Sequence, residues 1–337
     1  MKVFEPKLVL IENQALDYDL GVEIKTRYKD KGISVEMIES HNRVEWEEEM
    51  SPLELFKKAK ETLVVGVKKT LRFKSCQPSA DYRVVVNTSC PGKCEYCYLA
   101  TNLGSAVYPR VYVNIDEILD AIRKHIKKSE KSVTTFEASS SSDPVALEHI
   151  TGTLGKMIEF FSQRDDASLR VATKFDNIDS LLNIDHNQKT RFRYSINSTY
   201  VIREFENSTP SLTSRLQAAH KLKTAGYPVG FIIAPIMLHK NWKQEYKKMI
   251  DKLVEIFTDI QNLELSFELI MFRFSTQTQN IIQSRYPKTK LDFTKDQKKH
   301  KGFGKYVYDE ETAENLRMYL TELIEDRFPK AEIEYFT

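Results

Sequence analysis

The chain of 337 residues contains no apolar run approaching the ~20 residues that a bilayer-spanning helix needs. Its opening stretch, MKVFEPKLVLIENQAL, mixes charges and a proline into the apolar residues and makes a poor signal peptide. Both absences predict a cytoplasmic protein with no membrane partner. Neither sign of charge dominates: 50 Lys and Arg face 48 Asp and Glu, a net charge of +2. Bulk charge therefore neither demands nor excludes nucleic acid. There is no internal repeat and no low-complexity tract. Cysteine is scarce, four in all, and no second C-x-x-C pair exists. So few thiols in a long chain point away from a disulfide framework, and a zinc site built from two such pairs would lack half its ligands.

What is present is a cluster. Cys90, Cys94 and Cys97 lie within eight residues, in the order Cys-Pro-Gly-Lys-Cys-Glu-Tyr-Cys. Pro91 and Gly92 suit a tight turn that aims the thiolates inward. Three thiolates hold three irons of a cubane and leave the fourth open, as catalytic metal sites keep a position open. The pattern predicts a 4Fe-4S cluster with a small chelating molecule on the open iron. Zinc is the competing metal, and it would need His41 or His125 brought in by the fold. Cys76 stands apart, where a lone cysteine is commonly a small buried hydrophobe.

Apolar periodicity sets the expected fold. Residues 7–12 and 62–68 read as buried strands, with an acidic stretch between them (Glu45 and residues 47–49) as a solvated loop. From residue 82 strands alternate with helices: strands at 82–87, 134–139, 170–175, 191–197, 227–236 and 263–270. Between them lie helical faces such as Ile115, Ile118, Leu119, Ile122 and Ile126, or Leu147, Ile150, Leu154, Met157 and Phe161. A third helix, through Leu212, Leu216, Ala219 and Leu222, is expected to stop at Gly226. Such alternation predicts parallel β/α units. About six of them fit an α/β fold with an open or partial (β/α)6 barrel, since a closed eight-unit barrel needs more chain. The expected organisation is a small N-terminal α/β domain over residues 1–75, followed by the partial barrel over residues 76–337. Within the latter, residues 285–305 carry eight basic and two acidic residues, a net +6. That run is either a solvated loop or a DNA-binding segment.

At the cysteine loop the residues carry a resemblance. C-x-x-x-C-x-aromatic-C after a first barrel strand, with Tyr96 at the aromatic position, resembles the radical S-adenosylmethionine superfamily. The likeness to one member family extends over nearly the whole chain: SHNRV (40–44), TLVVGVKKTLRF (62–73), CEYCYLATNLGS (94–105), KTRFRYSINSTYVI (189–202), RYPKTKLD (285–292), GKYVY (304–308) and the terminal YFT resemble the spore photoproduct lyase family of DNA repair enzymes. The resemblance implies a lyase using a 4Fe-4S cluster on Cys90, Cys94 and Cys97, and S-adenosylmethionine held by Ser142, Lys174, Ser195, Asn197, Ala234 and Pro235. Lys174 is a point charge for the cofactor's carboxylate, and Ser195 and Asn197 offer hydrogen-bond groups. Ala234 and Pro235 would flank the adenine. Implied partners are UV-damaged duplex DNA and an external electron donor such as flavodoxin or ferredoxin. In the implied reaction a 5′-deoxyadenosyl radical takes a hydrogen from a methylene-bridged thymine dimer, the bridge breaks, and a cysteine quenches the thymine methyl radical. Tyr96 and Tyr98 would help return the radical to the cofactor.

The sequence departs from this pattern twice. The donor cysteine is expected where the chain has Ser140, and a serine O–H is too strong a bond to give up a hydrogen atom. Tyr98, Cys76 or an outside thiol would have to replace it, Cys76 only if the fold carries it to the cavity. The turn before GKYVY is also shorter than the family's lesion-engaging hairpin, although its charge remains. A related radical enzyme acting on a different DNA lesion is the alternative function that these departures suggest. A binding protein without turnover is a third reading, against which the retained Lys174, Ser195 and Asn197 speak.

Overall fold

The computed structural model describes residues 3–46, 50–104, 106–261, 263–302 and 304–337. It divides into two compact units. The first comprises residues 1–92 and 102–191, the second residues 93–101 and 192–337.

In the first unit a five-stranded sheet runs in the order Ser34–Ile38, Leu8–Glu12, Thr62–Gly66, Arg110–Tyr112, Asn87–Thr88. Its pairs are parallel except the last. Thr62–Gly66 is buried at every position, as its unbroken apolar text predicts. The expected boundary at residue 75 falls inside this unit, because Arg110–Tyr112 and Asn87–Thr88 continue the same sheet. A further run of strands begins with Lys74–Cys76, antiparallel to Ala80–Val84. Ala80–Val84 then pairs in parallel with Thr134–Ala138, and that strand with Ala167–Thr173. Helix Ile115–Ile126 lies where its isoleucines predict, with Ile115, Ile118, Ile122 and Ile126 buried. The face expected over residues 147–161 is two helices, Glu148–Thr151 and Thr153–Ser162, broken at Gly152 with φ +61°. Buried Glu148 accepts the Leu154 and Gly155 N–H groups at 2.7 and 2.9 Å, capping the second of them. Of the acidic stretch, Glu45 is exposed and without regular structure, while residues 47–49 lie outside the described residues.

The second unit carries parallel strands in the order Thr190–Ile196 (from Phe192 onward), Val229–Ile236, Ser266–Met271 and Glu332–Phe336. The last of these is a further parallel strand, fed by helix Glu310–Arg327, that the alternating pattern did not reveal. Helix Leu212–Thr224 ends just before Gly226, whose φ of +93° makes it the expected stop. The basic segment forms an antiparallel hairpin, Lys298–His300 with Lys305–Tyr308, which Phe274–Ser275 extends. Phe303 in its turn lies outside the described residues. The fold class is thus α/β, the parallel strand-and-helix class of partial barrels. No helix among the described residues is long and apolar enough to cross a membrane.

Candidate functional site

Within each unit the cysteines are held by different means. Cys90 belongs to the first. Buried Lys60 donates to the Cys90 carbonyl at 2.8 Å and to Ser89 Oγ at 3.0 Å. Ser89 Oγ in turn donates to the Val107 carbonyl at 2.6 Å, and Ser142 Oγ donates to the Ser89 carbonyl. Ser139 Oγ accepts the backbone N–H groups of Val86 and Asn87 at 3.1 and 3.2 Å. Ser89 and Ser139 both have left-handed backbone, with φ of 58° and 51°, a conformation that non-glycine residues keep only where surrounding bonds hold it. The serine run after Thr134–Ala138 is therefore a lattice that fixes the entry to the cysteine loop.

Cys94 and Cys97 belong to the second unit. Lys93–Cys94 pairs antiparallel with Glu206–Asn207, Cys94 opposite Glu206. The Tyr96 hydroxyl donates to the Glu206 carboxylate, whose other oxygen meets Arg215 Nη2 at 2.5 Å. Arg215 and Glu206 side chains are fully buried, and Arg215 Nη1 reaches the Ser195 carbonyl at 3.0 Å. A continuous hydrogen-bonded chain thus ties the cysteine loop to the strand of Ser195. Burial and the Glu206 charge push the Tyr96 phenol well above its usual range. From the other side, Arg285 donates to the Ala100 carbonyl at 2.6 Å, Tyr286 to the Lys93 carbonyl at 3.0 Å and Thr289 to Glu95 at 2.6 Å. Burial raises the Glu95 pKa despite the Thr289 bond.

Of the other expected site residues, Lys174 follows Ala167–Thr173, and its N–H donates to Asp143 at 2.8 Å. Asp143 also accepts from Thr173 Oγ1 at 2.7 Å. It is buried, which raises its pKa to about 6 although these bonds oppose the rise. Asn197 is fully buried. Its amide donates to the Pro235 carbonyl at 2.8 Å and accepts from Ser198 N–H and the Tyr246 hydroxyl at 2.9 and 3.2 Å. It thereby fixes Pro235, and Ala234 and Pro235 are half-buried. Tyr98 is 59% exposed and opens the short helix Tyr98–Asn102. The two tyrosines, alike in the sequence, thus sit in opposite surroundings.

Cys76 is where the structure adds most. It lies on the edge strand Lys74–Cys76, half-buried, and its thiol donates to Glu137 Oε2 at 3.8 Å. Ser79 donates to the same oxygen. Glu137 is three residues before half-buried Ser140 on one chain segment. The lone cysteine therefore meets the chain segment that leads into Ser140, which stands where the donor cysteine was expected.

None of the four cysteines is in a disulfide. The histidines considered for zinc are engaged elsewhere: His41 Nδ1 meets Glu12 at 2.7 Å, and His125 lies edge-on to Tyr82 and Phe73. Among the described residues no three His, Cys, Asp or Glu side chains gather as ligands of a single ion. A cubane does not ask for that, since each thiolate takes a different iron. A donor set of three thiols with no histidine suits iron–sulfur chemistry better than zinc.

Sequence reasoning missed Lys60, Ser89, Asp143, Glu206 and Arg215. Their signal was faint: a buried ion pair nine residues apart leaves no periodic mark.

A family model described as spore photoproduct lyase matches residues 4–337. The spore photoproduct lyase of Bacillus subtilis (strain 168) is 44% identical over 338 residues, covering 99% of each chain. That of Clostridium acetobutylicum is 37% identical over 331 residues, covering 97% of each. A solved spore photoproduct lyase with bound S-adenosylmethionine and dinucleoside spore photoproduct has a TM-score of 0.96 and 44% identity over the whole of both chains. It is a double variant, with alanine for a cysteine and cysteine for a serine, at positions numbered as Ser140 and Cys76 are here. A second, complexed with the dinucleoside lesion, matches with the same TM-score. The chain belongs to the spore photoproduct lyase family.

Proposed function

We propose that this chain is a radical S-adenosylmethionine lyase that reverses the methylene-bridged thymine dimer in DNA. The observation that carries the reading is full-length likeness, at 44% identity and TM-score 0.96, to an enzyme holding both S-adenosylmethionine and the lesion. The alternative of a different lesion is not favoured, since every feature that suggested it traces to Ser140 and the shortened turn. Cys90, Cys94 and Cys97 hold the 4Fe-4S cluster. Bound there with S-adenosylmethionine, it supplies the 5′-deoxyadenosyl radical that takes hydrogen from the lesion. Lys174, positioned through its backbone by Asp143, pairs with the cofactor carboxylate. Ser142 lies near its amine, Ser195 and Asn197 near its ribose, and Ala234 and Pro235 flank the adenine.

Cys76 is the hydrogen donor of this chain. Its S–H gives one hydrogen atom to the thymine methyl radical, leaving a thiyl radical, and Glu137 orients the thiol for that transfer. Ser140 is confined to hydrogen bonding. Tyr98, exposed on the helix that follows the cysteines, and Tyr96, between Cys94 and Cys97, relay a hydrogen atom from 5′-deoxyadenosine to the thiyl, which restores the thiol and returns the radical to the cofactor. Flavodoxin or ferredoxin supplies the electron, and the protein works in the cytoplasm on duplex DNA.

The test is an anaerobic assay of the reconstituted protein with dithionite, S-adenosylmethionine and DNA carrying the dimer labelled with deuterium at C6. Release of thymine, with deuterium in the 5′-deoxyadenosine, is the expected result. 5′-Deoxyadenosine formed without label while the dimer survives would refute the assignment of substrate.

A further inference from the structure

One cavity of the second unit has no part in the reading so far. It encloses about 600 Å³, and Arg203, Lys248, Lys252, Ile202 and Glu206 are among its lining residues. Three of these are cations and one is an acid. The charge of that acid, Glu206, is already met by buried Arg215, so the lining side chains left to meet an outside partner are three cations. Arg203, Lys248 and Lys252 each also touch an acid outside the lining, Glu204, Glu245 and Glu255 respectively. Exposed pairs of this kind contribute little and give way to a competing carboxylate.

The cavity is also joined to the cysteine loop. Glu206 pairs across the strand with Cys94, and its carboxylate accepts the hydroxyl of Tyr96, which stands between Cys94 and Cys97. One strand pairing and one hydrogen bond therefore separate a cation-lined recess from two of the cluster's ligands. Proteins that exchange electrons meet through small, weak interfaces found by charge, and this face offers both the charge and the short route.

We propose that this recess is the docking face for the external reductant, a small acidic one-electron carrier protein of the flavodoxin or ferredoxin class. The proposal rests on the radical reading above. The reduced carrier loses one electron to the metal centre held by the three cysteines, and no bond or proton changes hands.

Purified flavodoxin is the probe. Its affinity for the reconstituted protein is measured by fluorescence anisotropy at several salt concentrations, and 5′-deoxyadenosine formation is measured with reduced flavodoxin or with dithionite. For the double variant Lys248→Glu, Lys252→Glu, affinity is expected to weaken on the order of tenfold and to lose much of its salt dependence. The flavodoxin-driven rate falls in parallel, whereas the dithionite-driven rate, which needs no docking, is the reference that stays. Arg203→Glu, on another helix, should add its own loss. Unchanged affinity in all variants, or equal loss with both reductants, overturns the proposal. Absence of any dithionite-driven 5′-deoxyadenosine from the natural protein would instead refute the radical reading, while the affinity measurement would still decide the docking face.

Discussion

The two sides of the cysteine loop are built on opposite principles. On the Cys90 side the backbone is held by small neutral hydroxyls, those of Ser89, Ser139 and Ser142, with a single buried cation, Lys60. On the Cys94 side it is held by a buried ion pair, Glu206 with Arg215, joined to a phenol. The hydroxyl lattice spreads its cost over many weak bonds, each worth about 0.5–1.5 kcal/mol net. The ion pair concentrates it, because either partner left alone is an unpaired charge in a dry interior. The first arrangement tolerates small losses and the second does not.

The largest expected effect ignores the difference between the sides. Cys90→Ala and Cys94→Ala should each abolish the visible absorption of the reconstituted cluster, and retention of a full cluster by either would break the assignment. The next effect separates them. Arg215→Met strands the buried Glu206 carboxylate and should cost about 3–5 kcal/mol in denaturant unfolding. Lys60→Met should cost only about 1–3 kcal/mol, since Ser89 keeps its bond to Val107. Equal costs would erase the contrast. Smaller still is Cys76→Ala, where thymine release should fall by about tenfold, equivalent to 1.4 kcal/mol of barrier, while 5′-deoxyadenosine continues to form. Ser140→Cys in that background should recover the loss, and no effect of Cys76→Ala would remove the donor from this site.

The smallest effect concerns Asp143. Its folded pKa of about 6 lies above its ordinary value of 3.8. The folded protein therefore binds this proton more tightly than the unfolded chain does. The resulting stabilisation is complete below pH 4 and is lost as pH rises toward and through 6. Asp143→Asn should flatten that part of the stability profile, and an unaltered profile would remove Asp143 as its cause.

How much of this was legible depended on the kind of signal. Helix Ile115–Ile126 could be read because four isoleucines recur on one face. The cysteine loop could be read because its spacing is dense and local. Helix Pro52–Lys60 went unread although its start is written out: Ser51 and Glu54 cap each other and Pro52 opens the first turn. Gly152 split a helix that apolar spacing alone made continuous, because one left-handed residue outweighs a run of well-placed leucines. The contact of Cys76 with Glu137 could not be read at all, for it joins residues 61 apart across an intervening strand.

The basic segment shows what a charge count leaves out. Of its eight cations, Lys298 is held by Asp292, Lys290 by Glu204 and Lys299 by Glu310, and Arg285 is spent on the Ala100 carbonyl. Buried Lys298 and carbonyl-bound Arg285 are out of a duplex's reach, while the exposed pairs of Lys290 and Lys299 open to phosphate, which leaves six cations among the described residues to displace counterions. A protein gripping DNA through this segment would lose affinity with salt along a log–log slope of about −5.4, not the −7 or so that eight phosphate contacts would give. Such a grip loosens as ionic strength rises.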